Sequence, residues 1–222
     1  GENPAIRRAK SFEKKFEEET VKFLHNTFAE RQEMRRFLER GWELNMNFLA
    51  GNQYCGMTAS GELEEEQPQY WWMSRWVFIH IAPAIHTRCA KLAQVRPALS
   101  VPAATGEESD LQTAKISTNV LRSVCEECAF DDVITRATLW SETCGTAFYK
   151  VLWDVRGSGA EGKVRIAAVS PFEVYPEDLS VEKIGEQGSI MHVKAIPVTE
   201  IYERYGVQVA GQDVNEFSLA PQ

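Results

Sequence analysis

Apolar residues recur at helical spacing from the start of the chain. Phe12, Phe16, Phe23, Leu24 and Phe28 alternate with Lys and Glu from Ala5 onward, and Met34, Leu38, Trp42, Met46 and Leu49 prolong the period. This pattern predicts a long amphipathic helix or helix pair whose charged residues form a solvated face. Gly51 and Asn52 both tolerate left-handed backbone geometry and predict its stop. Cys55 to Gln69 places Glu62, Glu64, Glu65 and Glu66 among Gly56, Ser60, Gly61 and Pro68, with no apolar period to bury, which predicts a mobile acidic loop. Helical spacing returns over Tyr70 to Val95, where Phe78, Ile81, Ile85, Cys89 and Leu92 share a face and Pro83 is expected to kink the path.

Pro97, Pro102 and Gly106 mark an extended connector. Beyond it Leu111, Ala114, Thr118, Leu121, Cys125 and Cys128 repeat at spacings of three and four over Glu107 to Phe130, a packing seam. Asp131 is the expected cap of a further helix that carries Val133, Ile134, Ala137, Leu139 and Trp140 to Gly145. There the period changes. Ala147–Asp154 and Lys163–Val169 read as two strands joined by the glycine-rich turn Arg156–Gly162, a β-hairpin. Further β signals lie at Phe172–Tyr175 and Ser189–Ile196, and Pro197 opens a short helix ending at Gly206.

Helices first and strands later define an α+β class, with long N-terminal helices followed by a small antiparallel β region. The expected organisation is a helical arm over residues 1–55, the acidic loop over 56–69, an α+β domain over 70–206 and a tail over 207–222.

The chain has 222 residues, 44% of them hydrophobic, enough for a sizeable core and too ordered in composition for a disordered class. Its 24 basic and 32 acidic residues give a net charge of −8, which repels phosphate backbones and argues against tight non-specific nucleic-acid binding. No apolar run approaches the roughly 18 residues of a membrane helix, and the charged N-terminus does not fit a signal peptide. Cys55, Cys89, Cys125, Cys128 and Cys144 are an odd, dispersed set that suits a reducing cytoplasm better than a disulfide framework.

Candidate chemistry is sparse. Cys125 and Cys128 have the gap of half a zinc site, but no second pair completes it and both fall on the apolar seam, so packing is the expected role and no metal is expected. His80 and His86 lie about 120° apart around a helix, which does not aim both at one metal, and His25 and His192 are isolated in sequence. Phosphate loops, nucleophile elbows and paired zinc-binding histidines are missing, while Asp131-Asp132 and Glu177-Asp178 suit caps and turns. Catalytic residues and cofactors are therefore expected to be none. The dense cluster Tyr70, Trp71, Trp72 and Trp76 follows a loop and fits either a core or an interface anchor. Around the first break, Trp42, Phe48, Asn52, Gln53 and Tyr54 combine large rings with amide donors for carbonyls left at a helix end, a pattern for contacts between segments or between subunits.

A resemblance runs through these same residues. Trp42-Glu43-Leu44-Asn45-Met46-Asn47-Phe48-Leu49-Ala50-Gly51-Asn52-Gln53-Tyr54 resembles the W…N…F…GNQW/Y segment near the N-terminus of tailed-phage portal proteins. A helix then ends near Val95-Arg96-Pro97, and Leu99-Ser100-Val101-Pro102 is similar to the extended segment that follows it in portals. Gly145-Thr146-Ala147-Phe148-Tyr149-Lys150-Val151-Leu152-Trp153-Asp154 resembles the family's glycine-to-Trp-Asp strand. Ala168-Val169-Ser170-Pro171-Phe172-Glu173-Val174-Tyr175-Pro176-Glu177 resembles its proline-centred segment, with the acidic pair Glu177-Asp178 shifted by one position. The motifs occur in the family's order from Trp42 to Gly206, whereas residues 1–40 add little.

The resemblance implies the wing portion of a portal subunit, with residues 207–222 leading toward a stem. It implies a homo-oligomeric ring, usually dodecameric, at one capsid vertex, as part of the virion after assembly in the host cytoplasm. Implied partners are the major capsid protein, terminase, head-completion or adaptor proteins, and double-stranded DNA that passes without sequence specificity; no membrane is involved. Weak phosphate affinity suits a lumen through which a duplex slides. The alternatives are a helical virion adaptor or scaffold without a channel, and a hydrolase or nuclease with a dispersed site.

Overall fold

A computed structural model describes residues 4–66, 70, 72–95, 99–155 and 162–214, with side chains from residue 16 onward. The fold is α+β. Among the described residues five helices, α1 (Pro4–Ala50), α2 (Ile81–Gln94), α3 (Glu108–Glu127), α4 (Phe130–Cys144) and α5 (Val198–Tyr205), accompany the short antiparallel pairs β1 (Cys55–Met57) with β2 (Leu63–Glu65), β3 (Phe148–Asp154) with β4 (Lys163–Val169), and β5 (Val174–Pro176) with β6 (Ile190–His192). Contacts divide the chain into two units, Gly1–Arg40 with Phe172–Gln222, and Gly41–Pro171.

In the first unit α1 reverses the expected amphipathicity. Arg31, Arg35 and Glu39 are buried, while Phe16, Phe23, Leu24, Met34, Phe37 and Leu38 face solvent. The charged residues are therefore not simply a solvated face. The physical reason is a set of backbone carbonyls at Phe172, Val174, Tyr175 and Ser189 that need donors, which guanidinium groups at positions four apart can supply from one helix face. Phe172 and Tyr175 are fully buried, and burying their rings contributes roughly 1.5–3 kcal/mol each. Helix α5 closes on Gly206 in left-handed geometry, as the sequence predicts.

The second unit is centred on α4, whose Val133, Ala137 and Cys144 are buried together with Cys89 of α2 and Val169 of β4. Arg88 and Glu142 pair at 2.9 Å between α2 and α4, and the Asn45 amide donates to the Thr143 carbonyl at 2.8 Å. The left-handed residue before α4 is Ala129, and Asp131 and Asp132 sit inside the first turn, where they complement the helix dipole instead of capping. The seam of α3 is only partly covered: Leu111 and Leu121 are exposed, and none of the residues of α3 is fully buried. Strands β3 and β4 pair in register from Phe148 opposite Val169 to Asp154 opposite Lys163, which bears out the hairpin; its turn residues 156–161 lie outside the described residues.

Two expectations fail here. The acidic segment is not merely a loop, because β1 and β2 form a hairpin whose turn is held by Thr58, with its N–H donating to the Glu62 carbonyl and its hydroxyl accepting from the Glu62 N–H. The helix expected from Tyr70 begins only at Ile81. Pro83 consequently falls in the first turn, where a missing N–H is harmless, and has no helix ahead of it to kink.

Candidate functional site: exposed apolar surfaces

The long helix ends in two nested backbone bonds, from the Gly51 N–H to the Phe48 carbonyl at 3.1 Å and from the Asn52 N–H to the Asn47 carbonyl at 2.9 Å. Gly51 adopts φ +92°, the left-handed geometry this motif requires. The helix-end carbonyls are thus met by main-chain donors, which frees the neighbouring side chains for other partners. Asn52 donates to the Asn47 side chain at 3.2 Å. Gln53 donates across the break to the Phe78 carbonyl at 2.8 Å, the Tyr54 hydroxyl donates to the Trp76 carbonyl at 3.0 Å, and the Arg75 guanidinium stacks 4.5 Å over the Tyr54 ring. Arg75 also donates to the Glu66 carbonyl.

Gln53 and Tyr54 therefore act as a clasp that holds residues 73–79 against the end of α1 within one chain. The rings they hold point outward. Trp76 is 77% exposed, Phe78 67% and Trp72 65%, the last stacked on Tyr70 at 5.5 Å. Trp71 lies outside the described residues. Trp42 and Phe48 are half-buried on α1. The interface candidates thus fall into a clasp (Asn52, Gln53, Tyr54), an outward strip (Trp72, Trp76) and a helical pair (Trp42, Phe48).

The hairpin carries a second apolar surface absent from the sequence candidates. Tyr149, Val151 and Trp153 lie on one face opposite Ala168, Ile166 and Val164, so that face is apolar throughout, and its three β3 residues are exposed. The spacing of Tyr149, Val151 and Trp153 at every second residue was the signal available for it. In the first unit, the exposed apolar side of α1 is a third such surface. Folded monomers rarely leave contiguous apolar patches beyond about 300–600 Å² in water, which makes these three surfaces the candidates for a binding role.

Sites for chemistry do not assemble. Among the described residues no three His, Cys, Asp or Glu side chains converge to hold a metal. Cys128 lies 3.4 Å from the Val164 carbonyl, and all five cysteines are free thiols. His192 is not isolated, since its Nε2 lies 3.1 Å from Glu173. A cavity of about 380 Å³ between α4 and β4 is lined by Cys128, Asp132, Arg136, Lys163 and Arg165, of mixed charge and with no nucleophile paired to a base among them. No described helix is long and apolar enough to cross a membrane.

The buried group that sequence reasoning missed is the cluster around Tyr175. Arg35 lies 3.7 Å over its ring and donates to Glu39 and to the Phe172 and Val174 carbonyls, while Arg31 donates to the Tyr175 carbonyl at 3.0 Å and to the Ser189 hydroxyl. Phe28 meets the same ring edge-on at 4.9 Å. Burial pushes the Tyr175 phenol well above its ordinary range, opposed by the Arg35 charge and reinforced by Glu39. Compared with known proteins, the chain matches no family model and no curated protein sequence.

Proposed function

We propose that this chain is the wing portion of a tailed-phage portal subunit, a structural component of a ring at one capsid vertex that conducts DNA in packaging and ejection and performs no chemistry of its own. The observation that carries the reading is the ordered series of portal-like segments, from Trp42–Tyr54 through Leu99–Pro102 and Gly145–Asp154 to Ala168–Glu177. Exposed apolar surfaces on the strip, on β3 and on α1 support it, because a subunit of a large ring covers such surfaces with its neighbours. The net charge of −8 supports a channel role, since a duplex passes most freely where phosphate affinity is weak.

In this reading subunits repeat head to tail until the rotation completes, giving the closed and usually dodecameric ring of that family. Terminase, the major capsid protein and head-completion proteins are its partners, in the host cytoplasm during assembly and then in the virion. Light scattering on the full-length protein tests the proposal. A single species whose mass is a high multiple of the subunit is expected; monomer across the whole concentration range would overturn it, and a small open oligomer would favour a channel-free adaptor.

A further inference from the structure

Helix α1 carries a line of residues at alternating spacings of four and three: Phe16, Thr20, Phe23, Thr27, Glu30, Met34 and Phe37. It runs about a third of a turn around the helix from the buried Arg31, Arg35 and Glu39. Phe16, Phe23, Met34 and Phe37 are each more than half exposed. Such spacing keeps residues on one side over many turns and lets the side chains of one helix enter the spaces between those of another. The two threonines ask for no polar partner, because the Thr20 hydroxyl donates to the Phe16 carbonyl at 2.8 Å and the Thr27 hydroxyl to the Phe23 carbonyl at 2.9 Å. Glu30 is the one charged member of the line. Gly41, the next position along the same helix, has helical geometry, and a Cβ placed on it would meet nothing within 4 Å. A glycine inside a helix costs about 1 kcal/mol relative to alanine, and nothing within one chain requires it here.

We propose that this line pairs α1 with α1 of a second copy in an antiparallel, twofold-symmetric contact. A second copy is the fitting occupant because the line complements itself in size and in charge. With Thr20 set against Phe37 of the other copy, Phe23 meets Met34, Thr27 meets Glu30 and Phe16 meets Gly41. Every phenylalanine then faces a small or flexible residue, and the close approach of a second helix gives Gly41 its reason. Charge fixes both direction and register. A parallel pair would stack Glu30 on Glu30, and like charges at one level oppose pairing. An antiparallel pair slid by seven residues would bring Glu19 beside Glu33 and leave Phe37 with nothing opposite it. The proposed register instead sets Glu19, which makes no ion pair among the described residues, beside Arg40 of the other copy. The contact does not depend on the ring reading, since a twofold contact joins two copies and leaves other surfaces to close a ring by rotation.

The test incorporates a photo-crosslinking benzoylphenylalanine at Phe37 in the full-length protein, mixes ¹⁴N- and ¹⁵N-labelled copies before assembly, and maps the crosslinked peptides. Mixed-isotope crosslinks from position 37 to residues 19–23 are expected. Mixed-isotope crosslinks to residues 34–41 would mean a parallel pair and overturn the proposal, as would crosslinks to other segments or within one isotope only. A charge exchange reads the register independently. Copies with Glu19→Arg alone, or with Arg40→Glu alone, should lose at least about tenfold in crosslink yield, because each pairs like charges with itself. Mixing the two should restore the yield, since position 19 of each then meets an opposite charge at position 40 of the other. Parent-like yield in each variant alone, or no recovery on mixing when both variants melt as the parent does, would contradict the pairing. If Arg40→Glu fails to fold, Phe23→Glu replaces it: that ring is 67% exposed, so the melt should hold while the yield falls at least about tenfold, and an unchanged yield would overturn the proposal. Ring formation, read by light scattering on the same samples, stands or falls separately.

Discussion

Replacing Arg35 by Met keeps an unbranched apolar stem and deletes every bond its guanidinium makes. In the folded protein Arg35 is 2% exposed, donates to Glu39 at 2.9 Å through Nε and to the Phe172 carbonyl at 2.9 Å, and lies over the Tyr175 ring. After the substitution Glu39, itself buried, loses the Arg35 guanidinium, and the carbonyls of Phe172 and Val174 lose donors. Breaking a buried ion pair from one side costs about 3–5 kcal/mol, more than the roughly 1–3 kcal/mol of a single lost donor, so the loss of the Arg35–Glu39 pair dominates. Hydrogen exchange by mass spectrometry on peptides covering β5 and β6 measures this locally. At about 1.4 kcal/mol per decade, exchange there should accelerate at least about 100-fold. The double variant Arg35→Met with Glu39→Leu removes the stranded charge and should recover a large part of the loss. Exchange within about threefold of the parent in Arg35→Met would refute the reasoning, since it would mean that the cluster contributes under about 1 kcal/mol.

Tyr175 gives a pH dependence with a defined sign. Its phenol is raised above the ordinary value of 10.0 in the folded chain, so above that pH the unfolded chain loses the proton first and stability falls as pH rises; melts from pH 8 to 11 should show an alkaline loss that Tyr175→Phe reduces. An unchanged alkaline limb in Tyr175→Phe would contradict it. Burial pushes the Cys144 thiol up, with Thr143 opposing, so alkylation by iodoacetamide at neutral pH should label half-buried Cys128 before Cys144; the reverse order by peptide mapping would show that α4 opens readily. Gly51→Ala meets both a φ of +92° and an Ile79 methyl 2.7 Å from the new Cβ, and should destabilise by about 1–3 kcal/mol in a denaturant titration; a neutral effect would place the helix end elsewhere.

The parts of this fold governed by local chemistry were legible in the residues. Gly51 and Gly206 end their helices in left-handed geometry, Pro197 precedes α5, and the change of period at Gly145 announces β3. What local pattern hid depends on distant partners. Phe78, Ile81 and Ile85 share a helical spacing, yet Trp76-Val77-Phe78-Ile79 is a β-rich run whose carbonyls are claimed by Tyr54 and Gln53, so tertiary contact overrides the period. Arg35 reads as a surface residue because its acceptor at Val174 lies 139 residues downstream. Among the interface candidates, Trp72 and Trp76 were marked by density alone, while the separation of a clasp from an outward strip needed the direction of each side chain. The β3 face was present in the alternation of Tyr149, Val151 and Trp153 but reads equally as a core strand until its exposure is known.

The proposed ring closes by repetition of this subunit. Cryo-electron microscopy of the full-length protein, purified without crosslinker, tests it most directly: class averages viewed down the axis should show one rotational symmetry around an open centre wide enough for a DNA duplex. Averages of single subunits or of open, unclosed oligomers would contradict the account.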